Sequence, residues 1–463
     1  MNRVAEAVIE VVIQVDRVLE FNRIRLVTFL DPVNLYILMI RPVPFRPNSY
    51  FVWKVTGIAL TLWLPTMVFA QALTWQQVRG QFEANNPSLH AADLSVDESR
   101  AQEITAFLRP NPTSTVGLDQ FDPISPNPYR PLAYLFPLIT TSYLHEREGK
   151  RDLRLESAQK GTEISASQRA DLERNLIFSL RGAFVQALQA KAILEVARDN
   201  LTYYDKLLGV SQDRLSAGDI SQVDMQRLDL QRAQYESDVQ TAEVSARNAK
   251  IQLLQLLNLK TPVDQFDIAG AFDYSESILQ PDEVHRMALA SRPDLAVAAE
   301  AVDKANTDHR LAIANGSADP TFSADVGRNP PIPVYIGGSV SVPLRIFDRN
   351  QGEKARTQIE IDRTRRLQEI ATAQVYADVD SALNTLNGNI VLLRTYKAKY
   401  LDEALKVRET ISFAYQNGGA SLLDFLNAQQ EYRSIRLSYL NLVGSYFTAA
   451  NQVNLAVGRE VIQ

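Results

Sequence analysis

Residues 138–261 read LITTSYLHEREGKRDLRLESAQKGTEISASQRADLERNLIFSLRGAFVQALQAKAILEVARDNLTYYDKLLGVSQDRLSAGDISQVDMQRLDLQRAQYESDVQTAEVSARNAKIQLLQLLNLKT without one proline. Residues 344–463 are a second proline-free run in a chain with 21 prolines. Proline inside a helix costs about 3 kcal/mol, so two such runs predict two very long helical hairpins. A glycine-bearing turn breaks each, at Ser216-Ala217-Gly218-Asp219 and at Asn417-Gly418-Gly419-Ala420. Leu180, Ala183, Ala187, Ala190, Leu194, Ala197, Leu201, Tyr204 and Leu208 follow alternating steps of three and four, as do Met225, Leu228, Arg232, Tyr235, Val239, Ala242, Ala246, Ala249, Leu253 and Leu256. Sustained heptads of this kind make a coiled-coil seam. At about 1.5 Å per residue, the roughly 65 residues from Gly149 to Asp213 reach about 100 Å. The hairpins alone fit a soluble antiparallel spacer as well as a piece of something larger.

Between and before the hairpins the chain repeats itself. Asn86-Pro87-Ser88-Leu89 corresponds to Arg292-Pro293-Asp294-Leu295, and Asn111-Pro112-Thr113 to Asp319-Pro320-Thr321. Gly149 matches Gly352 at the mouth of each hairpin, and Ser221-x-x-Asp224 matches Ser421-x-x-Asp424 just past each turn. The offsets stay near about 200 residues, which reads as an internal two-fold repeat covering 73–280 and 281–463. Each half begins with short helices, continues with two strand candidates and ends in the hairpin. In the first half the candidates are Thr113 to Phe121 and Ala133 to Tyr143, around a Pro/Asn-rich turn from Asp122 to Pro131. In the second half Phe322, Ala324 and Val326 alternate with Thr321, Ser323, Asp325 and Gly327. After Asn329-Pro330-Pro331, Val334, Ile336, Val340, Val342 and Leu344 alternate with Tyr335, Gly337, Ser339 and Ser341.

One face of these strands is apolar and the other small and polar. A soluble sandwich turns the apolar face to a core; an outer-membrane barrel turns it to lipid and the polar face to a lumen. Lys54 precedes an apolar run from Val55 to Phe69 that ends in Ala70-Gln71-Ala72, the pattern of a secretory signal peptide cut after Ala72. A transmembrane helix is the rival reading, but the run is short and holds Gly57 and Pro65. Its late position makes Met39 the expected start, with residues 1–72 an extension plus signal. The signal favours the barrel. Four strands cannot close one, because about eight is the practical minimum and open edges do not survive in hydrocarbon. Two copies give eight strands and a filled interior; three give twelve and a lumen.

The net charge of −6 is interspersed and shows no nucleic-acid footprint. The absence of cysteine excludes disulfides, thiolate sites and an acylated N-terminal cysteine. His90, His145, His285 and His309 lie singly, without metal-ligand spacing. No nucleophile elbow, P-loop or dinucleotide fingerprint appears, so neither an enzyme nor a cofactor is expected.

Taken in order and in duplicate, Ala217-Gly218-Asp219-Ile220-Ser221-x-x-Asp224, Arg292-Pro293-Asp294-Leu295 and Tyr415-x-x-Gly418-x-x-Ser421-x-x-Asp424-Phe425-Leu426-Asn427-Ala428-Gln429 resemble the TolC family of outer-membrane efflux proteins. Val342-Pro343-Leu344-Arg345-Ile346-Phe347-Asp348-Arg349-Asn350-Gln351-Gly352, with Glu148-Gly149-Lys150-Arg151, looks most like its CzcC-type heavy-metal efflux branch. The resemblance implies a mainly α fold with a small β part: long antiparallel coiled-coil hairpins, and four strands given to a trimeric 12-stranded transmembrane β-barrel in outer-membrane lipid. It implies a homotrimer that meets a periplasmic membrane-fusion adaptor and, through it, an inner-membrane RND-type transporter, as a passive conduit for divalent heavy-metal cations. Drug efflux, type I secretion and a soluble periplasmic adaptor or scaffold are the alternatives.

Six carboxylates from Asp224 and Asp424 of three chains, gathered at a narrow axis, would select cations. The resemblance implies that they close the periplasmic entrance, with Tyr415 hydrogen-bonding toward Asp224 across hairpins. It also implies that Gly218, Asp219, Ser221, Gly418, Gly419 and Ser421 form tips that touch the adaptor. The plainer role for the two aspartates is helix capping, and for the glycines backbone freedom. Gly182 reads as a packing contact, and Tyr129, Tyr134, Phe136, Tyr143, Tyr335 and Phe347 as interface girdles or core.

Overall fold

The computed structural model describes residues 72–119, 124, 135–276, 279–329 and 332–462. The signal-peptide run, Met39, most of the Asp122–Pro131 turn, Tyr129 and Tyr134 lie outside the described residues. Two short helices, α1 (Trp75–Asn85) and α2 (Pro87–Phe107), lead to strands β1 (Thr113–Asp119) and β2 (Phe136–Leu144). The first hairpin follows as α3 (Lys150–Ala217) and α4 (Gln222–Leu256). The order then recurs: α5 (Pro281–Ser291), α6 (Pro293–Ala314), β3 (Thr321–Asn329), β4 (Ile332–Ser341), and a hairpin of α7 (Gln351–Thr395), α8 (Leu401–Gln416) and α9 (Leu422–Val457). Among the described residues no helix is long and apolar enough to cross a membrane.

The α3 helix runs 68 residues, about 100 Å at 1.5 Å per residue. Its seam is the one the heptads specify: Leu180, Ala187, Ala197, Tyr204 and Leu208 are buried against Met225, Leu228, Tyr235, Ala242, Ala249 and Leu253 of α4. The second hairpin departs from an unbroken helix. A π-helical turn at Tyr396–Tyr400 separates α7 from α8. Leu393 and Leu401 both pack on the core yet stand eight residues apart, one more than a heptad. Widening a single turn absorbs the extra residue without losing the seam.

Helix starts explain the two X-Pro junctions. The Asn86 side chain accepts the N–H groups of Ser88 and Leu89, with Pro87 at the first helical position, where no donor is needed. Asn86 also donates to the Leu256 carbonyl at the end of α4 (3.4 Å). Its counterpart Arg292 is buried, pairs with Asp294 (2.5 Å) and Asp378 (2.8 Å), and donates to the Ala456 carbonyl near the end of α9 (3.3 Å). Burial opposes the Arg292 charge, but the Asp294 and Asp378 hydrogen bonds outweigh it and hold its pKa above the ordinary value. Each junction thus ties the short helices to the far end of a hairpin. Two apolar clusters sit there, one around Phe82, Leu180, Leu253 and Ile268 and one around Val284, Val379, Tyr446 and Val453.

The strands form one antiparallel sheet in the order β1-β2-β3-β4, with β1 and β4 as free edges among the described residues. Register places Val116, Ile139, Val326 and Ile336 in one row across all four strands. They are 73, 52, 48 and 80 % exposed, so among the described residues nothing covers the apolar face. The adjacent row, Thr115, Thr140, Asp325 and Gly337, faces the other way. Gly337 leaves room for the Asp325 carboxylate, which a Cβ there would meet at 2.3 Å.

Several sequence expectations are corrected. The β4 strand ends at Ser341, leaving Val342 and Leu344 outside it; Pro343 has no N–H for a ladder. Left-handed backbone at the second hairpin mouth belongs to Asn350 (φ 60°), which pairs structurally with Gly149 (φ 63°), while Gly352 is already helical. Among the described residues a Cβ on Gly182 would meet nothing within 4 Å, so no close approach there requires glycine. Phe136 and Tyr335 stack on each other (5.6 Å) on the face opposite the apolar row.

Candidate functional site

The hairpin tips carry the sequence-selected residues. In the first, Gly218 adopts φ 83°, its N–H bonds to the Leu215 carbonyl (3.0 Å), and the Asp219 N–H bonds to the Arg214 carbonyl (2.8 Å). This left-handed close ends α3 with its last carbonyls satisfied. The second tip repeats it: Gly418 has φ 76°, its N–H reaches the Tyr415 carbonyl (3.1 Å), and the Gly419 N–H reaches that of Ala414 (2.7 Å).

Both outgoing helices start alike. Ser221 Oγ accepts the Asp224 N–H (3.0 Å) and donates its hydroxyl to Asp224 Oδ2 (2.9 Å). Ser421 does the same with Asp424 (3.1 and 2.6 Å) and also gives its own N–H to that carboxylate (3.2 Å). The two aspartates are therefore capping residues at helix N-termini, where negative charge is favoured. Their second carboxylate oxygens stay available at the tip.

Tyr415 is buried, stacked on Phe425 (5.0 Å), with the Arg214 guanidinium 5.2 Å from its ring centre. Arg214 also donates to the Tyr415 carbonyl (2.6 Å), joining the two tips. Burial raises the pKa of the Tyr415 hydroxyl against the opposing pull of Ser211 and Arg214. Among the described residues no well-formed hydrogen bond reaches that hydroxyl. The Tyr415–Asp224 bond implied by the resemblance is thus not made within the chain, because Asp224 is turned onto Ser221.

Sequence reading missed the aromatic and basic layer behind the tips. Arg408 lies between the rings of Tyr203 (4.5 Å) and Tyr432 (3.9 Å). Arg433 pairs with Asp238 (2.8 Å), and Tyr204 stacks on Tyr235 (4.6 Å) while donating to the Leu228 carbonyl (3.1 Å). Tyr203 and Gln429 both donate to Ser412 Oγ (3.1 Å each). The available signal was Arg408, which falls seven residues after the seam residue Leu401 and interrupts an apolar pattern. Among the described residues no group of three or more His, Asp or Glu side chains is gathered to hold a metal ion.

Long paired hairpins closed by matched tips, joined to a sheet with one uncovered apolar face, are the fold of the outer-membrane efflux channels. The chain superposes on the outer-membrane channel OprN with a TM-score of 0.69 at 16 % identity, over 83 % of this chain and 89 % of that one. On CusC the TM-score is 0.69 at 16 % identity, over 83 % and 92 %. In sequence the chain is similar to the cobalt-zinc-cadmium resistance protein CzcC of Cupriavidus metallidurans, 24 % identical over 323 residues, 68 % of this chain and 75 % of that protein. It is also similar to the pyoverdine export outer membrane protein OpmQ of Pseudomonas aeruginosa, 24 % identical over 307 residues, 63 % of each. No family model matches the chain. The resemblance to TolC-family outer-membrane efflux proteins, CzcC-like among them, is borne out.

Proposed function

We propose that this chain is the outer-membrane channel of a tripartite efflux system, working as a trimer that passes divalent heavy-metal cations. The carrying observation is the sheet: four strands, an uncovered apolar row and two free edges. Strands of 9, 9 and 10 residues in β2, β3 and β4 suit a tilted membrane crossing, for which about 9–11 are needed. In hydrocarbon the free edges must be paired, and four strands are too few to close on themselves. Three copies supply twelve. Val116, Ile139, Val326 and Ile336 then face lipid, and the row of Thr115, Thr140 and Asp325 faces the lumen. The recurrent element order and the matched ties of Asn86 and Arg292 support a duplication of 73–280 in 281–463.

At the other end the tips meet a periplasmic adaptor, which connects to an inner-membrane RND-type pump. Asp224 and Asp424 of three copies form the entrance ring, and Tyr415 with Arg214 holds neighbouring tips together. The CzcC relative supports a metal cargo. The OpmQ relative, named for pyoverdine export, supports an organic cargo through the same fold. Deleting the gene separates the two: loss of zinc, cobalt or cadmium tolerance supports metal export, and unchanged tolerance removes it. For the gate, Asp424→Ala with Tyr415→Phe should raise single-channel conductance in planar bilayers several-fold. An unchanged conductance would strip these residues of the role.

A further inference from the structure

Between the short helices and the tips, the long helices lie side by side in the order α4, α3, α9, α7. Residues 261–276 and the α5 helix pack on one face of that layer, through charged and polar groups. Lys191 of α3 and Lys250 of α4 both pair with Asp267 (2.8 and 3.0 Å). Tyr439 and Tyr446 of α9 donate to Asp273 (3.1 Å) and to the Ser275 carbonyl (2.6 Å). His285 of α5 meets Asp380 of α7 at 2.9 Å.

Among the described residues the opposite face is bare, and its chemistry differs. On α9, Asn441, Ser445, Thr448 and Gln452 are exposed on the far side of the helix from Tyr439 and Tyr446. On α4, Ser245, Asn248 and Gln252 stand in the same way opposite Lys250, and α7 adds Ser381 and Thr385. The Gln189 amide of α3 donates to Asn441 Oδ1 (2.9 Å) and lies over Gly444, where a Cβ would meet it at 2.3 Å. Asn389 of α7 donates to the Ser445 carbonyl (3.2 Å), so the three helices meet at one level. Gln186 and Gln189 border the grooves toward α4 and toward α7, which makes the surface continuous.

This face is polar without being charged. The chain has no Asp, Glu, Lys or Arg between Arg436 and Arg459, from Ser381 to Leu393, or from Gly182 to Ala190. The two carboxylates in the grooves are already engaged: Asp238 with Arg433 (2.8 Å), and Asp378 with Arg292 (2.8 Å) and Gln374 (2.7 Å). Amides and hydroxyls give and accept hydrogen bonds as water does, yet present no fixed charge to an ion. A charged ring on a narrow wall would instead attract one sign and repel the other. Closing the layer into a ring turns the bare face inward, since the reverse would fill the bore with α5 and residues 261–276.

We propose that the bare face is a neutral sleeve in the conducting bore, which hydrogen-bonds hydrated solutes and lets ions of either sign pass it alike. This rests on the ring assembly proposed above and leaves charge selection to the entrance aspartates. The zero-current potential of the reconstituted protein across a KCl gradient tests it. Asn441→Lys should lower the cation-over-anion permeability ratio several-fold, and Asn441→Asp should raise it. Thr385→Lys on α7 repeats the first substitution without touching the Gln189 bond. Thr202→Lys should leave the ratio unmoved, because Thr202 lies eleven residues from Lys191 and on its side of α3. So should Asp378→Asn, because Arg292 and Gln374 already hold both carboxylate oxygens. An unmoved ratio in the Asn441 and Thr385 variants, an equal shift from Thr202→Lys, or a shift from Asp378→Asn overturns the sleeve. Native mass of the same samples tells the failures apart: three copies reject only the sleeve, and a lone copy rejects the ring as well.

Discussion

The two hairpins share their chemistry at the tips and differ in what lies behind them. Both close through a left-handed glycine and reopen through a serine that holds an aspartate three residues on. Behind the first tip the α3 helix is unbroken and the layer under the cap is Met225. Behind the second, a π turn interrupts the incoming helix, Phe425 replaces Met225, and Tyr415 stacks on it with its hydroxyl buried. Shared features satisfy backbone groups and are needed wherever a long helix reverses. The unshared ones, a buried phenol stacked on Phe425 and a phase-shifted helix, concentrate in the second hairpin.

The largest test of that difference replaces the layer under each cap. Phe425→Ala should cost about 3–5 kcal/mol locally and Met225→Ala about 2–5, with the second tip the more exposed to protease. Equal cleavage at 417–420 and 216–219 in the two variants would mean that the tips rest on equivalent support.

Next in size are the turns. Gly218→Ala and Gly418→Ala force a side chain into left-handed backbone at a cost of about 1–2 kcal/mol. Gly419→Ala should be close to neutral: Gly419 lacks positive φ, and its added Cβ would lie 3.6 Å from the Ala414 carbonyl oxygen, ordinary contact. Thermal melts of the three in detergent check the order. A Gly419 variant as damaged as the other two would break the assignment of the reversal to one glycine per tip.

The smallest expected effect is acid sensitivity at the hairpin bases. Burial works against the charge of Asp267, but hydrogen bonds from Lys191 and Lys250 outweigh it; at Asp273 the same is true of Lys397 and Tyr439. Both carboxyls are held below the usual range. Their stabilisation is present above the unfolded carboxylate value of about 3.9 and is lost as pH falls through the lower folded value. Amide exchange across 266–274 should therefore accelerate only below about pH 4, and slightly, since these sites are largely solvated. Acceleration already near pH 6 would point to a different group.

Much of this was legible before any coordinates. The heptads of α3 and α4 fixed the seam because periodicity reports which face is buried, and Ser-x-x-Asp announced both caps. Alternation gave the face of each strand, but not its end: Val342 and Leu344 continue the pattern past Pro343, where the ladder cannot. The π turn left a trace in the eight-residue step from Leu393 to Leu401, easily lost among neighbouring apolar residues. Arg214, Arg408 and Tyr203 were invisible as a group because their contacts join positions about 200 residues apart, which no local pattern encodes. Within one chain Asp224 turns one carboxylate oxygen onto Ser221, a local cap that Ser-x-x-Asp already spells out.

The claim beneath all of this is that the sheet is complete only in company. Native mass spectrometry of the detergent-extracted protein tests it most directly. The account predicts a single species of three chains; a lone chain that stays soluble without detergent would contradict it.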